Sequence, residues 1–357
     1  MMRIAIICKT FLKGGAEKQA LILIKLLVER GIDVCLINWY GEKIDQLNLK
    51  FIVDNSFRYH PLSGNYFRKL RDFRKILLHE EISIIVSYLT LSNFVSGICK
   101  IFSKNIRIIG GIRNEKLPFY KFYFEKLIHN YLNDATVFNN FSGKTKFEKR
   151  GFNPEKAYVI QNAIEHTNQQ SEYKKTDDDI VIVSVGRFVK QKDYKTALRS
   201  FSKIVERNKH KNFEYYIVGY GPLENEVRTL AEQLKIDQKI RIFINPPDIN
   251  SILKSSDIFL STSLFEGVSN SIMEAMVAGL PVVATNVGDN SHLIKDGYNG
   301  FLVPCKNVDT IVEKLEHLSE SVELRKEFGK NSLEIIETDF SKVKLLNSYL
   351  NLFAKLK

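Results

Sequence analysis

Two carboxylates, Glu266 and Glu274, stand on either side of a Ser-Asn pair in FEGVSNSIMEA, residues 265–275. The apolar run DIFLST (257–262) lies ahead of them, and Gly279 with Pro281 lies behind. That order predicts a strand, a loop carrying Glu266, and a short helix capped by Ser269 or Asn270, with Glu274 about one turn inside it. The start of a helix offers unpaired N–H groups and attracts anions, whereas two carboxylates repel them. Both features suit a ligand that gives a phosphate to the amides and neutral hydroxyls to the acids, because a carboxylate accepts from two hydroxyls at once. A diphosphate with a sugar at each end, a nucleotide sugar, has all three parts.

Such a ligand needs positive charge at the same place. VGRFVKQKDY puts Arg187 directly after Gly186, at the end of the apolar run IVIVSVG, and Lys192 five residues later, before the next helical stretch. A guanidinium and an ammonium aimed at a diphosphate stabilise the charge that grows on it as a glycosidic bond breaks. The spacing alone also fits a solvated turn, and its meaning comes from the neighbouring pair of acids.

The elements that must position these groups form two series of one architecture. RIAIICK (3–9), DVCLINW (33–39), ISIIVSY (82–88), IRIIGGI (106–112), ATVFNN (135–140) and YVIQNAI (158–164) are strand-like runs separated by helical patterns. IVIVSVG (180–186), FEYYIVG (213–219), KIRIFI (239–244), DIFLST (257–262) and LPVVAT (280–285) restart the alternation. The fold class expected is α/β, two doubly wound Rossmann-like domains with a cleft between them. Residues 1–165 form an N-terminal, acceptor-binding domain and 166–179 a polar linker; residues 180–340 form the nucleotide-sugar-binding domain, and 341–357 a helix free to pack back on the first.

GRFVKQKDY, VGYGPLENEVRTLA and DIFLSTSLFEGVSNSIMEAMVAGLPVVATNVGDNSHLIKDGYNGFLVP resemble the retaining glycosyltransferases of family 4, which have the GT-B architecture. KGGAEK near the N-terminus and IQNAIE before the linker are similar to the matching family segments. The resemblance implies that Glu266 binds hydroxyls of the transferred sugar and Glu274 the ribose. It assigns the backbone amides of Gly267, Val268, Ser269 and Asn270 to the sugar or phosphate, Arg187 and Lys192 to the diphosphate, and Gly14 and Gly15 to a loop closing over the donor. It also implies that the acceptor hydroxyl attacks on the face from which the nucleotide leaves, a donor phosphate oxygen taking the proton, so that neither a dedicated protein base nor a metal or other cofactor is expected. Many family members carry a His lining the donor sugar where IRIIGGIRNEK has Arg113 and Asn114, which are expected on the acceptor side. KIRIFINPPD lacks the glycine often found where the base is held, and uridine is taken from the family's commonest donors.

Composition narrows the acceptor. The first 165 residues hold 26 Lys and Arg against 15 Asp and Glu, and the remainder is balanced, so the whole net charge of +11 belongs to the first half. A scattered, solvated basic surface is one reading; the other is an acidic partner, namely nucleic acid, an anionic membrane surface or a phosphorylated acceptor, such as a polyprenyl-diphosphate-linked glycan at the inner face of a membrane. No nucleic-acid module signature is present, so nucleic acid is not expected as a partner. The chain is expected to be cytoplasmic or peripheral on the membrane surface, since the uncharged stretch 82–99 is broken by six Ser, Thr and Asn residues and suits a strand feeding a helix better than a span. Cys8, Cys35, Cys99 and Cys305 lack disulfide or zinc spacing. His129 is expected to be packed, Asp177 to Asp179 to belong to the linker, and the G-x-G at 219–221 to reflect Pro222 at a helix start. FRKLRDFRK (67–75) suits a solvated face or membrane contact. A nucleotide-sugar 2-epimerase of the same architecture and a basic nucleic-acid-binding protein are the alternative functions.

Overall fold

Apolar runs of β-branched residues pair in parallel because each is followed by a helix that carries the chain back across the sheet. A computed structural model describes residues 2–12, 14–103, 105–113, 117–164 and 179–356. The chain forms two units, Met1–Ala163 with Phe340–Lys357, and Ile164–Asp339.

The first unit contains β1 (Arg3–Cys8), β2 (Asp33–Asn38), β3 (Arg58–Pro61), β4 (Ile84–Tyr88), β5 (Arg107–Ile112), β6 (Ala135–Phe138) and β7 (Ala157–Val159), in the spatial order β3-β2-β1-β4-β5-β6-β7. Every pairing is parallel. Strand alternation splits the core in two. Ile4, Ile6 and Val86 pack against Leu23 and Leu27 of helix Gly15–Glu29 and Tyr349 and Phe353 of helix Lys342–Leu356, whereas Ala5, Ile7 and Ile85 pack on the other face against Phe73, Leu77 and Val95.

The second unit contains β8 (Asp179–Val185), β9 (Asn212–Gly219), β10 (Ile240–Ile244), β11 (Ile258–Ser261), β12 (Val282–Thr285) and β13 (Gly300–Val303), ordered β10-β9-β8-β11-β12-β13, again all parallel. Ile180 and Ile182 bury against Ala197, Leu198, Phe201 and Ile204 of helix Tyr194–Arg207. The strand order reverses between β1 and β4 and between β8 and β11. Chains leaving such neighbours diverge, and a crevice opens at their carboxyl ends.

The strand-like run at 158–164 pairs only as far as Val159, and its remainder is loop, because Asn162 and Ala163 spend their polar groups on Arg113 and Gln19. The edge strands β3 and β13 escaped the sequence pattern: each is four residues long, and β3 reads RYHP, with little apolar signal. Residues 82–99 divide into β4 and helix Leu89–Phe102, and among the described residues no helix is long and apolar enough to cross a membrane. The expected linker lies outside the described residues up to 178, as do Asp177 and Asp178; Asp179 opens β8.

Candidate active site

β8 and β11 are hydrogen-bonded neighbours, so the segments that leave them, Gly186–Lys192 and Thr262–Glu266, meet although some seventy residues separate them in sequence. Three contacts lock them together. The Leu264 amide donates to the Gln191 carbonyl at 2.8 Å, Thr262 Oγ1 donates to the carbonyls of Lys192 (2.9 Å) and Asp193 (3.0 Å), and Gln191 Nε2 donates to the Phe265 carbonyl at 2.8 Å. Asp193, left-handed at φ 47°, turns the chain sharply from the Lys190–Lys192 turn into the following helix.

This lock brings Lys192 onto Glu266. The Lys192 stem runs over Gly186, where a Cβ would lie 3.0 Å from Cε, and its ammonium donates to Glu266 Oε1. Ser263 Oγ donates to the same carboxylate oxygen at 2.7 Å, and Gln191 Nε2 lies 3.4 Å from the other. Glu266 is 8% exposed, and these donors satisfy its carboxylate oxygens at that depth. Behind it, Gly288 adopts φ 55° with its backbone against the Glu266 carbonyl, and the Asp289 amide donates to the Gly267 carbonyl at 3.2 Å. Thr285 Oγ1 holds the Ser263 carbonyl at 2.6 Å.

Helix Asn270–Val277 starts four residues beyond Glu266, with Ser269 as its cap. The cap is long, Ile272 N to Ser269 Oγ at 3.5 Å, and Ser269 shares its hydroxyl with Ser271 at 3.2 Å. Gly267 and Val268 are half-buried, Asn270 and Glu274 are exposed, and Ile272, Met273 and Met276 face the core. The two acids therefore differ: Glu266 is gripped inside the loop lock, while Glu274 stands on the open face of the helix. Arg187 is exposed, one residue past Gly186, and buried Phe188 anchors the turn after it.

In the first unit, Gly14 caps helix Gly15–Glu29 at φ −167°, an extended conformation open to any residue, and both glycines are exposed. The nearest atoms a Cβ on Gly14 would meet belong to the movable carboxylate end of Glu17, so backbone strain does not demand glycine there. Arg113 follows β5, donates to Asn162 Oδ1, and lays its guanidinium 4.7 Å from the Tyr88 ring centre at the end of β4. Asn114 lies outside the described residues.

Other sequence-level expectations resolve into packing. His129 is buried; its Nε2 donates to the Asn153 carbonyl at 3.0 Å, which leaves Nδ1 to accept from Thr136 Oγ1 at 2.8 Å, and burial pushes its pKa down to about 4. The glycines at 219 and 221 serve a close approach of backbone rather than a proline-started helix. A Cβ on Gly219 would lie 2.0 Å from the Gly186 carbonyl oxygen, and one on Gly221 would lie 2.7 Å from that of Phe188; Pro222 precedes helix Glu224–Gln233 by two residues. Asn245, after β10, takes a left-handed φ of 45°, a conformation that Asn tolerates. Among the described residues no group of three or more His, Cys, Asp and Glu side chains is placed to hold a metal ion, and the four cysteines are free thiols.

The lock between the β8 and β11 loops sits in a segment with known relatives: the family model described as glycosyl transferases group 1 matches residues 165–334. That match covers just under half of the chain and includes the candidate residues from Arg187 to Glu274. Over 100% of its length, and 99% of the relative's, the chain is 23% identical to the Campylobacter jejuni GalNAc-alpha-(1->4)-GalNAc-alpha-(1->3)-diNAcBac-PP-undecaprenol alpha-1,4-N-acetyl-D-galactosaminyltransferase. It is 28% identical to the Escherichia coli UDP-Gal:alpha-D-GlcNAc-diphosphoundecaprenol alpha-1,3-galactosyltransferase over 49% of this chain and 46% of that one. Two of the curated relatives are thus matched over about half of their own length. The crystal structure of Anabaena HepE in complex with UDP shares the two-unit GT-B fold, with a TM-score of 0.83 at 16% identity over 99% of this chain and 100% of that one. The sequence missed Ser263, Gln191, Thr285 and Gly288, since each acts through a contact between distant segments. Only Gly288-Asp289, a turn dipeptide, carried a local signal.

Proposed function

We propose that this protein is a glycosyltransferase that moves a hexose-type sugar, with retention of configuration, from a UDP-sugar to a lipid-linked oligosaccharide or other glycan in the synthesis of a cell-surface polysaccharide. The observation that carries this reading is the Lys192–Glu266 pair, fixed by Ser263 and Gln191 at the β8/β11 crevice, beside a helix start. An ammonium has three N–H groups, and Glu266 takes one, so Lys192 has donors left for a diphosphate. Exposed Arg187 adds a second cation, and Glu274 offers a carboxylate to the ribose. Gly267, Val268, Ser269 and Asn270 present amides. Arg113 faces the acceptor.

In the proposed step the acceptor hydroxyl oxygen bonds to the anomeric carbon as the carbon's bond to the diphosphate oxygen breaks. The bonding electrons stay on the diphosphate, whose charge Lys192 and Arg187 stabilise, and the hydroxyl proton passes to the departing phosphate oxygen. With two cations supplied by the chain, we assign no metal or other cofactor to this step. The lipid-linked acceptor is supported by the names of the Campylobacter and Escherichia relatives and by the basic first half of the chain, and with it we propose action at the inner face of a membrane.

The test is mass-resolved transfer from a panel of nucleotide sugars to a bacterial lipid extract, with the anomeric configuration of the product read by NMR. Transfer that disappears in a folded Glu266→Ala variant supports the assignment. Unchanged transfer in that variant, an epimerised free sugar, or salt-sensitive retention on DNA with no sugar transfer overturns it.

A further inference from the structure

Helix Phe119–Leu127 and the π-helical turn Ile128–Leu132 that extends it bury Phe122, Glu125, Ile128 and His129. The side opposite carries Tyr120, Tyr123, Leu127 and Tyr131, which are 70%, 48%, 58% and 77% exposed. Steps of three and four residues put these four on one stripe, about 16 Å long at 1.5 Å per residue. A helix of a soluble protein carries charged groups on that side; a run of large apolar and aromatic side chains there marks an interaction surface.

The stripe has basic company on the same sheet face. Helix Tyr66–His79, which buries Phe73 and Leu77 beneath it, turns Phe67 (83% exposed), Arg71, Arg74 and Lys75 outward. Helix Leu89–Phe102 lies between the two: Phe94 packs on Phe124 with ring centres 4.8 Å apart, and the Arg74 guanidinium sits 5.8 Å from the ring of Phe102, itself 63% exposed. Lys121 flanks the stripe directly.

We propose that this layer of three helices is the surface by which the protein sits on an anionic bilayer, its tyrosines and leucine at the headgroup level and its arginines and lysines on lipid phosphates. The proposal rests on the lipid-linked acceptor read above and names the surface through which the enzyme reaches it. Tyr combines an apolar ring with a hydroxyl that stays wet, the side chain that membrane interfaces favour. Charge decides against a second copy of the chain: a two-fold contact would press this cationic layer against its own image, whereas anionic lipid complements it.

Co-sedimentation of the full chain with vesicles tests this, using equal parts phosphatidylcholine and phosphatidylglycerol against phosphatidylcholine alone. The protein partitions onto the anionic vesicles and is released in about 1 M salt, where the Debye length is about 3 Å. The combined variant Tyr120→Ser, Tyr123→Ser, Leu127→Ser lowers partitioning by about tenfold or more, and Arg71→Glu with Arg74→Glu lowers it on the anionic vesicles. A UDP-induced rise in melting temperature, equal in wild type and serine variant, shows that the fold and the nucleotide lobe are intact. Wild-type protein left in the supernatant with both vesicles overturns the proposal, as does a serine variant that binds as well as wild type, or one that splits a dimer in ultracentrifugation while vesicle binding is nil. Loss of the UDP response in wild type counts against the donor assignment and leaves the vesicle result standing.

Discussion

A Cβ on Gly288 would lie 2.0 Å from the carbonyl oxygen of Glu266, closer than any side chain tolerates. Gly288 also holds a left-handed φ of 55°, so two independent constraints demand glycine behind the Glu266 loop. Gly297 shares the positive φ, 73°, but has nothing within 4 Å of its Cβ position. Gly297→Ala therefore costs about 1 kcal/mol of backbone strain and leaves transfer intact. Gly288→Ala lowers the melting temperature further and removes transfer by displacing Glu266. Equal melting shifts and equal rates in the two variants would show that the close approach is not needed.

The Lys192–Glu266 pair separates two roles. Lys192→Met removes the cation assigned to the diphosphate, so UDP affinity measured by calorimetry falls together with the rate. Glu266→Gln keeps the shape and removes the acceptor assigned to the sugar hydroxyls, so the transfer rate drops by roughly 10²–10³ while UDP binds nearly as before. Undiminished UDP affinity in the methionine variant would remove Lys192 from the diphosphate site.

Arg113 is expected to act on the acceptor alone. Its guanidinium is aimed by Asn162 and by the Tyr88 ring, geometry that a lysine does not reproduce. Arg113→Lys raises the acceptor KM by about tenfold, the scale of one lost charge-assisted contact, and leaves the donor KM unchanged. Asn162→Ala, which only loosens the aim, moves the same parameter less. A change confined to the donor KM would place Arg113 on the other substrate.

Two buried groups on one helical segment set opposing pH dependences. Glu125, nearly fully buried, has its pKa raised from 4.5 to about 7 by desolvation, against hydrogen bonds from Thr90 and Asn93. The folded state holds this proton longer than the unfolded state, so the contribution of Glu125 is complete below pH 4.5 and is lost as pH rises to about 7. His129, lowered from 6.5 to about 4 by desolvation, behaves the opposite way: its contribution is complete above pH 6.5 and is lost as pH falls through about 4. Between these limits the two slopes, each up to about 1.4 kcal/mol per pH unit, offset one another. Urea midpoints of Glu125→Gln should climb with pH across the window, and those of His129→Gln should decline. Parallel curves for the two variants would show that neither group titrates as its burial dictates.

Much of this protein was legible in the chain because its signals are local. Apolar runs followed by amphipathic stretches dictate parallel strands with crossover helices, and Ser269 before NSIMEAMVAG marks a helix start whatever surrounds it. Short edge strands gave no such signal, since RYHP and GFLV gain their register only by lying beside β2 and β12. The types of Glu266 and Lys192 announced the chemistry, but their meeting was decided by tertiary structure. Strand order makes β8 and β11 neighbours, and the Thr262, Leu264 and Gln191 hydrogen bonds then bring the ammonium onto the carboxylate. The outward face of helix Phe119–Leu127 belongs to the same class. In FYKFYFEKL only the packed layer reveals which rings the core uses and which stay exposed.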